Sequence, residues 1–100
     1  MAALKIQTDK VSKLNQLDFT ENRTICEQNG ENENKIKLVL QRRIKNGKHR
    51  IFLVGYAYKN DELVKCSVLG LHTPDKRGID TILSSCSCYT FCGMYELITS

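Results

Sequence analysis

The sequence predicts an α+β fold: an antiparallel β-meander of at least three strands, a short N-terminal helix, and a C-terminal helix or strand packed on one face. Three observations predict it. Asn46-Gly47 sits between two long alternating segments, the strongest short-range signal for a β-hairpin, because both central residues of a type I′ turn need positive φ. A second tight turn, "KNDE" at 59–62, is followed by another extended apolar segment. Leu4, Val11, Leu14 and Leu17 recur at roughly helical spacing ahead of these segments.

Taken in order, Leu4, Val11, Leu14 and Leu17 recur at helical spacing, and Thr8 offers a cap with Asp9 in the first turn, which predicts a helix near 8–18. Residues 20–35 are rich in Asn, Glu and Gly and read as a polar, mobile loop, with a short extended piece around Ile25. A two-residue Asn46-Gly47 turn then fixes the hairpin register. Lys45 faces Lys48, Ile44 faces His49, Arg42 faces Ile51, Leu40 faces Leu53, Leu38 faces Gly55 and Ile36 faces Ala57. Side chains alternate along a strand, so all of these pairs except the lysines share one largely apolar side. A slip of one residue would exchange the two sides, so the apolar side pins the register.

The third strand lies within 63–72. Pairing Tyr58 with Leu63 places Val64, Cys66 and Val68 on the apolar side, and Leu63, Lys65, Ser67, Leu69 and Leu71 on the other. Thr73 and Pro74 suit a helix start, with one or two helical turns over 79–85. "CSCYTFCGMYELITS" is poor in helix formers and favours a last strand within 86–98, a terminal helix being the alternative.

One hundred residues are read as a single domain, 1–100, large enough for one core. No run reaches the ~18 apolar residues of a membrane span, and the N-terminus lacks the apolar core of a signal peptide. These features point to a cytoplasmic or nuclear protein. The five cysteines fit free thiols in a reducing compartment better than a disulfide framework.

Charge is distributed unevenly. Residues 1–34 carry four basic and six acidic side chains, and residues 35–100 carry eleven and five. Residues 35–58 hold seven Lys or Arg, three aromatics and no acid. The predicted register gathers most of them on the side opposite the apolar one. Lys35, Lys37, Arg43, Lys45, Lys48 and Arg50 would bind phosphates there, and Phe52, Tyr56 and Tyr58 would stack on bases. Like charges facing each other near the turn cost stability, which a bound polyanion would relieve. The plainer alternative is a solvated sheet face whose Lys and Arg stems lie over the rings.

The sequence therefore predicts a non-enzymatic nucleic-acid-binding module, RNA rather than DNA, that needs no cofactor. The alternative is a protein-interaction or inhibitory module that docks an acidic partner through the sheet. Val54, Leu63, Leu69 and Leu71 would form its apolar strip, which also allows a homodimer, and the acidic stretch 27–33 would shield the basic face. Cys86, Cys88 and Cys92 would share one face of a strand as small buried residues. A zinc site completed by Cys66 or His72 is disfavoured because a second pair of ligands is missing. His49 and His72 fall near each other at one sheet end. No Ser or Cys nucleophile stands beside a His and a carboxylate, and no Gly-rich phosphate loop occurs.

Overall fold

The computed structural model describes residues 22–86 and 88–100. The helix expected near 8–18 lies outside them. Four strands, β1 (Asn22–Asn29), β2 (Asn34–Lys45), β3 (Lys48–Lys59) and β4 (Glu62–His72), form one antiparallel sheet in the order β1-β2-β3-β4. Two helices come after them, α1 (Lys76–Cys86) and α2 (Phe91–Thr99).

Each connection in the meander is a tight turn with two consecutive residues at positive φ: Asn32 (56°) and Glu33 (61°), Asn46 (53°) and Gly47 (76°), Asn60 (54°) and Asp61 (64°). Asn leads every pair, at intervals of fourteen residues. Its short side chain tolerates the left-handed region better than most, and two such residues give the turn whose twist matches that of paired strands. The observed β2–β3 register is the one the Asn46-Gly47 turn predicts, from Lys45↔Lys48 to Lys35↔Tyr58.

The helices cover one side of this sheet. Ile36, Leu38 and Leu40 of β2, Ile51, Leu53 and Ala57 of β3, and Ile25 and Cys26 of β1 are buried against Ile82, Cys86, Phe91, Met94 and Ile98. Burying a large aliphatic side chain contributes about 1.5–3 kcal/mol, so this layer is a major source of stability.

Four expectations need correction. Where residues 20–35 read as a loop, residues 22–29 form strand β1. Its apolar residues do not alternate because a bulge at Ile25 lets it and the adjacent Cys26 both reach the core.

In β4, the pairing Tyr58↔Leu63 holds, but bulges come after it at Val64 and Leu69. Cys66 and Val68 therefore face the side opposite the helices, while Lys65 and Ser67 face the helices. Leu69 packs on the core, against the Cα of Gly55. The Lys65 ammonium accordingly reaches the Ser100 carbonyl beyond the end of α2, where helix carbonyls lack partners.

The C-terminal segment is helical, not a strand. Thr90 caps α2 by accepting from the Gly93 N–H at 3.4 Å, and Phe91, Met94 and Ile98 form one buried stripe. This packing overrides the weak helix propensity of its residues. At α1 the cap is Asp75, not Thr73. The Asp75 carboxylate accepts from the Gly78 N–H at 2.8 Å and from the Thr73 hydroxyl at 3.0 Å.

These contacts have two measurable outcomes. The Phe91 ring lies so close over Gly30 that a Cβ there would come within 2.2 Å of it. Gly30→Ala should therefore lower unfolding stability by about 1–3 kcal/mol in urea denaturation, as overpacking does. The Gly78 N–H and the Thr73 hydroxyl hold the Asp75 carboxyl below its usual range. Its contribution is then present above the ordinary carboxylate pKa and lost as pH falls through the lowered one. Asp75→Asn should keep the cap and flatten this acid limb of the melting temperature, whereas Asp75→Ala should lower the melting temperature at neutral pH.

Candidate nucleic-acid interface

The side of the sheet opposite the helices carries the residues singled out in the sequence. Along β2 they are Lys35, Lys37, Val39, Gln41, Arg43 and Lys45. The facing β3 residues are Tyr58, Tyr56, Val54, Phe52, Arg50 and Lys48. All nine predicted binding residues thus fall on one face by register. Twelve residues at ~3.4 Å each make this row ~40 Å long.

Its centre is apolar. Val39 and Val54 face each other and are only 4% and 6% exposed. Tyr56 and Gln41 explain much of this. Their register positions are separated by four residues, ~13 Å along the strands. Yet the Gln41 Nε2 donates to the Tyr56 hydroxyl at 2.9 Å. The two side chains must meet over the valine pair, so the Tyr56 ring lies along the sheet and not upright from it. Its hydroxyl accepts from Gln41 and keeps its own proton to donate. The buried Gln41 Oε1 makes no hydrogen bond among the described residues.

Two cationic groups flank that centre. At one end the Lys35 ammonium lies 5.2 Å from the centroid of the Tyr58 ring and 3.3 Å from the Glu27 carboxylate. Glu27 comes from β1 and stands opposite Lys37 in register. Both partners of the ion pair are substantially in solvent, so it contributes at most about 1 kcal/mol and yields readily to a stronger anion. At the other end the Arg43 guanidinium lies 5.8 Å from the centroid of Phe52. Arg50 donates to the His49 carbonyl at 2.7 Å, and Lys48 is exposed.

The turn end of this row extends past the described flanking strands. β1 is described from Asn22, opposite Gln41, and β4 stops at His72, opposite Ile51. Beyond that level the hairpin projects as a two-stranded finger, from Arg42 to Arg50, flanked by no strand among the described residues. It holds Arg42, Arg43, Lys45, Lys48, His49 and Arg50. Arg43↔Arg50 places like charges opposite each other on its outer face. Arg42 points to the helix side and is buried, which holds its pKa below the usual value through loss of solvation.

The margin of the face along β4 is apolar. Leu63, Cys66, Val68 and Leu71 stand beside Tyr58, Tyr56, Val54 and Phe52. Leu63, Val68 and Leu71 are 51%, 60% and 45% exposed. Of the predicted strip, Leu63 and Leu71 are therefore in place, Val54 is buried in the centre of the face, and Leu69 belongs to the core. Sequence reasoning took Glu27 only as part of the shielding stretch 27–33, assigned no role to Gln41 and put Val68 on the wrong side. Only a bulge separates Val68 from its predicted place, and bulges leave no period-2 signal.

The cysteines do not gather. Cys86 is buried near Cys26, and burial followed by that neighbour pushes its thiol up to about 12, away from reactivity. Cys88 and Cys92 are exposed, as is Cys66. No group of three or more His, Cys, Asp or Glu able to hold a metal occurs among the described residues. None of the described helices is long and apolar enough to cross a membrane. No protein-family model, curated protein or solved structure matches the chain.

Proposed function

We propose that this protein is a non-enzymatic nucleic-acid-binding module that holds single-stranded RNA on the outer face of its sheet. The observation that carries the reading is the register of β2 and β3, which sets six cations and three aromatic rings in one continuous row on the side away from the helices. Phosphates would run along Lys35 and Lys37 at one end and along the projecting finger at the other. Bases would lie on Tyr58, Tyr56 and Phe52 between them. Stacking contributes ~1–3 kcal/mol per base and tolerates any sequence. Single strands suit the face better than duplexes because unpaired bases can splay onto rings. The ammonium and guanidinium groups now near the Tyr58 and Phe52 rings would move to phosphates. Neutralising the Arg43↔Arg50 and Lys45↔Lys48 repulsion adds to the driving force. Binding of this kind masks or delivers an RNA in the cytoplasm or nucleus; it requires no chemical step.

The test is fluorescence anisotropy with a labelled single-stranded RNA of ~20 nucleotides, titrated across salt concentration. Tyr56→Ala should weaken binding about tenfold, the equivalent of one lost stack, while Tyr56→Phe stays within about threefold of the parent. Lys37→Ala should reduce the slope of log affinity against log salt by about one. Affinity that tracks salt but ignores Tyr56 would reduce the interaction to charge attraction. Tighter binding of duplex DNA than of the single strand would assign the finger to a groove instead. No binding at low salt would end the nucleic-acid reading.

A further inference from the structure

The feature that RNA binding leaves unexplained is β4. It is the last strand of the sheet, and its second edge pairs with no strand among the described residues. Large exposed apolar side chains concentrate on it: Leu63, Val64, Val68 and Leu71, against Ile44 and Leu97 elsewhere among the described residues. A long apolar edge of this kind is a template for pairing with another strand, and proteins normally blunt it.

The pattern along β4 says which strand fits. Because of its two bulges, the residues facing away from the helices are Leu63, Cys66, Val68 and Leu71. This set is symmetric about Ser67. In an antiparallel pair of two identical strands centred on Ser67, each residue faces the one equidistant from the centre. Leu63 then faces Leu71, Cys66 faces Val68, Lys65 faces Leu69 and Ser67 faces its own copy. Opposed residues in an antiparallel pair share a face. Every outward residue of β4 therefore meets an outward residue, and Lys65, Ser67 and Leu69 of the helix side meet one another. A one-residue slip would destroy that match. The bulges at Val64 and Leu69 lie on either side of the centre, so the stretch between them keeps a regular pleat.

Charge agrees with the same arrangement. Glu62 falls opposite His72 at both ends, a carboxylate facing an imidazole. Antiparallel pairing also sends the two cationic fingers to opposite ends of the assembly. There each lies on the side of the other copy's Asn60-Asp61 turn, beside Asp61 and Glu62. We propose that β4 is the seam of a two-fold symmetric homodimer, joined edge to edge around Ser67 into one eight-stranded sheet. The dimer does not depend on RNA binding, although it would set two basic-aromatic rows side by side on one continuous face.

Sedimentation velocity of the full chain without nucleic acid, from about 1 to about 200 µM, tests the assembly over the range expected for a small interface. The expected result is a concentration-dependent shift from 11.4 kDa to twice that mass. Val68→Lys should weaken the association at least tenfold with unchanged circular dichroism, and Leu97→Lys, an equally apolar change on α2, should leave it intact. Ser67→Cys, made together with Cys66→Ser, should form a covalent dimer on mild oxidation, since residues opposed at the centre of an antiparallel pair lie within disulfide reach. Cys66→Ser alone should not. A chain that stays monomeric throughout would overturn the proposal. So would a dimer that survives Val68→Lys and yields no cross-link through Ser67→Cys. Should Val68→Lys fail to fold, the cross-link alone decides the register.

Discussion

Three left-handed turns decide the rest of this molecule. Each holds two residues at positive φ where most side chains are disfavoured, by roughly 1–2 kcal/mol per residue outside glycine. At Asn46-Gly47 and Asn60-Asp61 that cost yields a fixed strand register, because a two-residue loop leaves no slack. Register in turn decides the face on which every side chain lies. The apolar and basic residues of β2 and β3 are interleaved one by one, so the same turn that builds the core also sorts the charges away from it.

The bulges add a second layer of control. At Ile25 in β1 and at Val64 and Leu69 in β4, one extra residue breaks the alternation and turns the residues after it to the other face. In β1 the effect is to send two neighbours into the core from a strand too polar to supply more. In β4 it keeps Leu69 inside and turns Val68 outward. The inner strands have no bulge against each other, and both outer strands are bulged. The centre of the sheet is thus built on plain alternation, and its margins are adjusted residue by residue.

This division explains what the sequence made legible. The hairpin of β2 and β3 came from Asn46-Gly47 and the apolar pattern alone, and with it the placement of Lys35, Lys37, Arg43, Tyr56 and Tyr58 on one face. β1 was hidden because Ile25 and Cys26 mimic no strand pattern, although Asn32-Glu33 repeats the fourteen-residue interval of the other turns and pointed to it. The facing of Val68 and Leu69 was illegible because a bulge has no local signature in this strand. Helix α2 was obscured by its Cys, Tyr and Phe content. Thr90 three residues before Gly93 and the Phe91, Met94, Ile98 spacing were visible, but short helices take their stability from packing that the sequence does not display.

The order of the elements has a consequence for how the chain is made. Every described strand pairs only with described neighbours in sequence, so the meander can form turn by turn from local contacts. The described side chains that seal its apolar side, however, come from residues 82–98, after all four strands. During synthesis Ile36, Leu38, Leu40, Ile51 and Leu53 therefore emerge before the α1 and α2 side chains that pack on them, and at about 5–20 residues per second that lag lasts seconds. Docking of α1 and α2 is thus the last step among the described elements, and until it happens the helix side of the meander lacks their cover.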